Sequence, residues 1–201
     1  MSTTENNLFP VFFKLENLSL LVVGGGAVGL EKTKAVLDNS PLANVTVVAP
    51  EIREEIVALK NIHPNLTLVY APYDLSFLEG KDLVIAATCI RDLNYQVRVD
   101  AKLNRILVNV ADTPDLCDFY LSSIVRKGNL KIAISTNGKS PTMAKRIREV
   151  LEDAIPEEID QVLEEMYKLR EKLKGDFDFK VKTMNEVTAA MKADPKQNNK
   201  S

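Results

Sequence analysis

A short apolar run that stops at three consecutive glycines constrains the fold of this chain more than any other feature. Leu20 to Val23 reads as a buried strand and Gly24-Gly25-Gly26 as a tight turn, with Val28, Ala35 and Val36 opening a helical spacing. The order strand, glycine turn, helix fits G-x-G-x-x-G at Gly24, Gly26 and Gly29. Gly24 permits a turn that a side chain would obstruct, and Gly26 lets backbone lie against a pyrophosphate. Gly29 lets the new helix pack close to the strand. The free amides and partial positive charge of the helix start then face the phosphates, which makes Gly24, Gly25 and Gly26 the expected cofactor cradle.

Glycine clusters also make ordinary turns, so the flanking sequence has to carry part of the argument. A second apolar strand, Val45 to Ala49, ends at Pro50-Glu51. An acid about 20 residues beyond such a motif takes the adenosine ribose hydroxyls and repels a 2′-phosphate, so Glu51 favours NAD over NADP. Leu66 to Tyr70, Asp82 to Thr88 and Ile106 to Val110 read as further strands, with helices over Ile52 to Lys60 and Asn94 to Leu103. This alternation specifies an α/β fold, a Rossmann-like doubly wound parallel sheet, followed by a small α+β segment and C-terminal helices. Thr88, at the end of the fourth strand, suits a cofactor contact and a helix cap equally. Leu8 to Phe13 is expected to lie extended beside the first strand. His63, the only histidine, precedes a proline in a loop and reads as a surface residue.

At Asp112 the rhythm changes. Asp112 follows the last sheet strand on the edge where open α/β sheets bind ligands, and a carboxylate there can exchange a proton beside a nicotinamide. Asp-Thr-Pro is also good turn chemistry, and spacing alone leaves both readings open. Phe119 to Val125 and Leu130 to Ile134 are strand-like, with a hairpin signal at Gly128-Asn129. Ser140 can cap a helix that has Pro141 at its first position. Glu157 to Lys174 carries an apolar stripe at helical spacing that suits core or a subunit contact, and Gly175 ends it. Asp176 to Met191 forms one more short helix in this reading, and Asp194 to Ser201 is a solvated tail. The expected organisation is a nucleotide-binding domain over 1–113, a segment over 114–150 to which the family resemblance described below assigns dimerisation and substrate binding, and a helical region over 151–201.

Charge is the other local signal after Asp112. Arg126, Lys127, Lys131, Lys139, Lys145, Arg146 and Arg148 gather there with few acids, which suits a polyanionic substrate or an ordinary solvated face. The whole chain, at a net charge of −2, has no general attraction for nucleic acid or anionic membrane. No apolar run approaches a membrane span, and Met1 to Asn7 lacks the basic and apolar regions of a signal peptide, so a cytoplasmic protein is expected. Cys89 and Cys117 share no metal-ligand spacing and no metal site is expected; reduced thiols are the simplest reading, and a disulfide stays open.

Several of these stretches together resemble the precorrin-2 dehydrogenase family, which also forms the N-terminal module of siroheme synthases. They are Leu8-Phe-Pro-Val-Phe-Phe, the glycine turn, Val-Thr-Val-Val-Ala-Pro50-Glu51, Ala86-Ala-Thr88, Asn109-Val-Ala-Asp112 and Ile134-Ser-Thr-Asn-Gly-Lys-Ser-Pro141. The last two are far more specific than the glycines. The resemblance implies NAD-dependent oxidation of precorrin-2 to sirohydrochlorin, and in some relatives insertion of ferrous iron as well. It implies that Asp112 is catalytic, that Ala27, Val28, Pro50 and Glu51 touch the cofactor, and that the segment after Asp112 builds an intertwined homodimer. Precorrin-2 is a polycarboxylate, so Ser135, Thr136, Lys139 and Arg146 become the candidate substrate contacts. Asn137 replaces a glycine common among relatives, Thr136 a serine, and Glu31 a frequent arginine. The rival readings are a non-catalytic NAD(H)-sensing regulator and another NAD-linked reductase, the latter weakened by the lack of a Tyr-x-x-x-Lys pair.

Overall fold

The computed structural model describes residues 5–189, which fall into two compact units. The first takes the chain up to Ile124 together with Ile134–Lys145, and the second takes Val125–Ala133 with the residues from Arg146 onward. These units interleave along the chain, whereas the expected organisation divides it linearly at 113 and 150. Among the described residues, no helix is long and apolar enough to cross a membrane.

The first unit is built on five parallel strands: β1 (Ser19–Val23), β2 (Asn44–Ala49), β3 (Leu66–Tyr70), β4 (Leu83–Ala86) and β5 (Leu107–Val110). Their order in the sheet is β3-β2-β1-β4-β5, so the chain reverses direction of growth between β1 and β4. Helices α1 (Ala27–Asn39), α2 (Glu54–Leu59) and α3 (Arg91–Leu103) make the crossovers. The central strands β1 and β4 are almost wholly apolar and buried because both their faces are covered, and strand alternation sorts their side chains. Leu20 and Val22 pack in one buried cluster with Val36 and Leu37 of α1 and Ile56 of α2. Leu21 and Val23 pack in the other with Val97 and Ala101 of α3.

Register then levels the strand ends. Val23 lies opposite Val48 on one side and Ala86 on the other, and Ala86 lies opposite Val110. The loops that follow β1, β2, β4 and β5 therefore leave the sheet along a single edge.

Most expected elements are present with shifted limits. α3 begins at Arg91, three residues before the expected start. The Asn94 amide donates to the Thr88 carbonyl at 3.0 Å, so this residue belongs to the turn and to the helix together. Two further strands, β6 (Ser123–Lys127) and β7 (Leu130–Ile134), form the expected hairpin. Its two-residue turn has positive φ at Gly128 alone, as a type II′ turn requires. β6 starts four residues later than expected, because Phe119 and Tyr120 are engaged elsewhere: the Phe119 carbonyl accepts from Asn109 and the Tyr120 hydroxyl donates to the Pro114 carbonyl.

Helix α4 (Pro141–Ala154) begins as expected, with the Ser140 hydroxyl accepting from the Met143 amide. α5 (Ile159–Lys172) and α6 (Phe177–Val187) follow, and Met191 and the 194–201 tail lie outside the described residues. Two expectations fail. Leu8 to Phe13 forms no strand, and Phe9 and Phe12 are 86 % and 66 % exposed. His63 is buried, with Nδ1 facing the Pro41 carbonyl at 3.4 Å, because its loop lies against the 41–42 turn, where Asn65 also donates to the Leu42 carbonyl at 3.1 Å. Both cysteines are free thiols.

Leu37 is fully buried between α1 and the sheet. Leu37→Ala should cost about 2–5 kcal/mol of unfolding free energy, read from the urea midpoint.

Candidate active site

The glycine turn is locked by its neighbours. The Gly24 amide donates to the Val48 carbonyl at 2.9 Å, and the Arg53 amide donates to the Gly25 carbonyl at 3.0 Å. A Cβ on Gly29 would run into the Gly24 carbonyl, so only glycine lets α1 rise this close to β1. Gly26 differs: it is exposed, its φ is −83°, and a Cβ there would meet nothing within 4 Å. As N-cap it has no side chain to bond the first-turn amides, which are left for an anion. Ala27 is exposed and Val28 half-buried at the same helix start.

Pro50 and Glu51 are exposed just beyond β2, and the Glu51 carbonyl lies against Gly25. A diphosphate over Gly26 with a ribose toward Glu51 fits this cradle. Thr88 is a different case. Its hydroxyl donates to Asn94 Oδ1 at 2.7 Å and accepts from the Ile90 amide at 3.1 Å. Both are bonds within the chain, so Thr88 closes the turn into α3, whose N-cap is Ile90.

Asp112 stands two residues beyond Val110, two strands away from β1 in the sheet order. At the usual spacing between strands that is about 10 Å. Its φ is +57°, a left-handed conformation that costs a non-glycine residue on the order of 1 kcal/mol. Aspartate tolerates it better than most residues, and the loop is held from both feet.

The Ala111 amide donates to the Ala86 carbonyl at 2.9 Å. At the far foot the buried Asn109 amide donates to the Phe119 carbonyl at 2.8 Å. The Cys117 thiol accepts from the Val110 amide at 3.2 Å. Asp118 accepts from the Val108 amide at 3.1 Å and from Lys102 at 2.6 Å, with Arg98 3.7 Å away. Burial pushes the Cys117 thiol up. Burial would raise the Asp118 carboxyl too, but Lys102, the Val108 amide and Arg98 outweigh it and hold it below the usual carboxylate range. Asn109 and Cys117 are thus part of the site's support. The first was visible only as a motif letter and the second only as a thiol.

Asp112 lines a cleft of about 430 Å³ with Glu31 and Lys32 of α1, Asn109, Cys117, Tyr120, Ser135 and Thr136. Ser135 and Thr136 are therefore brought to Asp112, and Asn137 beside them takes φ +54°, a left-handed backbone that asparagine tolerates better than most residues. Lys139 sits in the same loop but does not line the cleft, its amide donating to the Thr136 carbonyl. Arg146 belongs to the second unit and pairs with Glu149 at 2.7 Å. Lys127 pairs with Glu157 and Arg148 with Glu152. Helix-period and cross-element acids thus take up Lys127, Arg146 and Arg148 of the clustered cations.

An open glycine turn at the switch point of a parallel sheet, with an acid following β2, defines a dinucleotide-binding protein of Rossmann-like fold. Comparison with known proteins agrees. Residues 11–123 match the family model described as "Putative NAD(P)-binding", and residues 127–154 match "Sirohaem biosynthesis protein central". The chain belongs to this NAD(P)-binding family. It is 45 % identical over 151 residues to a siroheme synthase of Psychrobacter sp. strain PRwf-1, covering 75 % of this chain and 30 % of that protein. It is 41 % identical over 178 residues to one of Psychrobacter arcticus, covering 89 % and 31 %. The chain thus spans about a third of the length of these relatives. Among solved structures, "SirC, precorrin-2 dehydrogenase" matches with a TM-score of 0.72 and 28 % identity, over 90 % of this chain and 89 % of that one.

Two outcomes test the site's construction. Gly26→Ala should leave the melting temperature within a few degrees and weaken NADH binding about tenfold or more, while Gly29→Ala should destabilise the fold outright. The Asp118 carboxyl is lower in the folded than in the unfolded chain. Its contribution is therefore complete above the unfolded value of about 4 and is lost as pH falls through the folded one. In urea titrations from about pH 7 to about pH 3, Asp118→Asn should flatten the loss of stability on the acid side.

Proposed function

We propose that this chain catalyses the NAD-dependent oxidation of precorrin-2 to sirohydrochlorin, a step in siroheme biosynthesis. The observation that carries the reading is Asp112. An exposed carboxylate is held in left-handed backbone on the same sheet edge as an open nucleotide turn. The reading is supported by the siroheme synthase relatives and by the precorrin-2 dehydrogenase structure.

The bound dinucleotide would supply the hydride acceptor. Everything else falls to the protein's own groups. The first-turn amides at Gly26, Ala27 and Val28 hold the diphosphate, and Gly24 and Gly25 shape the turn beneath them. Pro50 and Glu51 bound the ribose, and the Glu51 carboxylate selects NAD by accepting from both ribose hydroxyls. Ser135 and Thr136 border the macrocycle in the cleft. Asp112 takes the proton that leaves the macrocycle as the hydride departs, so each turnover removes one hydride and one proton. Much of the rate comes from holding reacting atoms together, which is why the loop under Asp112 is tied at several points.

Among the described residues, no three His, Cys, Asp or Glu side chains gather to hold a metal ion. Ferrous iron, in this reading, is a substrate that meets the macrocycle in the Asp112 cleft. The exposed Phe9 and Phe12 support a homodimer, and a cytoplasmic setting accords with two free thiols.

Asp112→Asn keeps a residue that accepts left-handed backbone and removes the base. Anaerobic turnover of precorrin-2 with NAD⁺ should fall about 10²- to 10⁴-fold, with NADH affinity unchanged within about twofold. Undiminished turnover in that variant would sink the assignment. Nucleotide binding without NADH formation in the wild type would favour the sensing protein instead, and Fe²⁺ added afterwards reads iron insertion directly.

A further inference from the structure

Lys32 was given no role by the motif, yet it is the one cation among the described residues that line the Asp112 cleft. It comes from α1, the helix that the glycine turn launches, and Glu31 and Ala35 on the same flank line the cleft with it. Its side chain is only 19 % exposed. Its ion-pair partner is Glu31, 2.8 Å away and 69 % exposed. Adjacent residues on a helix do not naturally face each other, and an ion pair with so exposed a partner is worth about 0–1 kcal/mol. Such a partner is readily exchanged for a better one.

The cleft's charge shows what that better partner is. Two carboxylates, Glu31 and Asp112, and one ammonium face it, so an unaided polycarboxylate would be repelled from the position where Asp112 must reach it. Of the cations clustered after Asp112, Lys127, Arg146 and Arg148 are each paired with an acid. We propose that Lys32 is the substrate-binding residue of this site: its ammonium takes a peripheral carboxylate of the tetrapyrrole, and Glu31 swings to water in exchange. The cofactor helix would then hold nucleotide with its first turn and substrate with its second. This proposal rests on the precorrin-2 reading above and assigns the charge that reading needs.

The test measures equilibrium binding of sirohydrochlorin, by its own absorbance, and of NADH, by its own fluorescence, to the full chain and to Lys32→Ala and Lys32→Arg. A charge-assisted contact is lost in Lys32→Ala, so sirohydrochlorin should bind about 10- to 100-fold more weakly. Lys32→Arg should recover most of that loss, NADH affinity should be unchanged, and the methyl esters of sirohydrochlorin should bind the three proteins alike. Equal sirohydrochlorin affinity in wild type and Lys32→Ala overturns the proposal and leaves the dehydrogenase reading standing. A parallel loss of NADH affinity also overturns it, since Lys32 would then serve the nucleotide or the helix. A wild-type chain that binds no sirohydrochlorin overturns the functional reading and this proposal together.

Discussion

A helix lies against the end of the strand before it with no side chain between them. Gly29 of α1 rests on the carbonyl of Gly24, with no room for a methyl group between them. That contact sets where α1 begins, and therefore where its unbonded amides point. It also carries Leu37 and Val36 onto the sheet and Lys32 onto the flank that faces the Asp112 cleft. A looser turn would move cofactor cradle, core and cleft together. The glycines act on function through packing as much as through their openness to phosphate.

The second constraint is the parallel register. Because Val23, Val48, Ala86 and Val110 end level, chemistry that is dispersed over ninety-odd residues of chain meets on one edge. The edge needs its loops held, and different bonds do so for each. The loop after β4 is closed by Thr88 and Asn94, and the loop after β5 by Asn109, Cys117 and Asp118. A left-handed aspartate is sustained at the apex of the latter because the bonds at its feet more than offset the conformational cost.

Much of this was legible in residue order. Alternating apolar runs and helical spacings located the five sheet strands, and β3 and β7 agree at both ends with the expected limits. Ser140-Pro141 marked the start of α4 because capping is local chemistry. The places where reading failed are those where a distant group decides. Phe119 is strand-like by composition, but its carbonyl is claimed by Asn109 ten positions earlier. His63 is loop-like, but a carbonyl from the Pro41 turn lies over it. The cations after Asp112 read as one patch until acids elsewhere in the chain take up Lys127, Arg146 and Arg148. Leu8 to Phe13, apolar enough for a core, stays exposed, since apolar composition alone says nothing of which surface will cover it.

Sequence by itself determined the fold class, the nucleotide turn and the candidate acid at position 112. Each rests on short-range rules: strand and helix periods, the φ freedom of glycine, and the length of chain between turns. Tertiary structure alone decided which side chains share a cleft with that acid. Lys32 is eighty residues from Asp112 in sequence, and no local rule links them; the packing of α1 against the sheet, and the order in which the strands line up, brings them to one cleft.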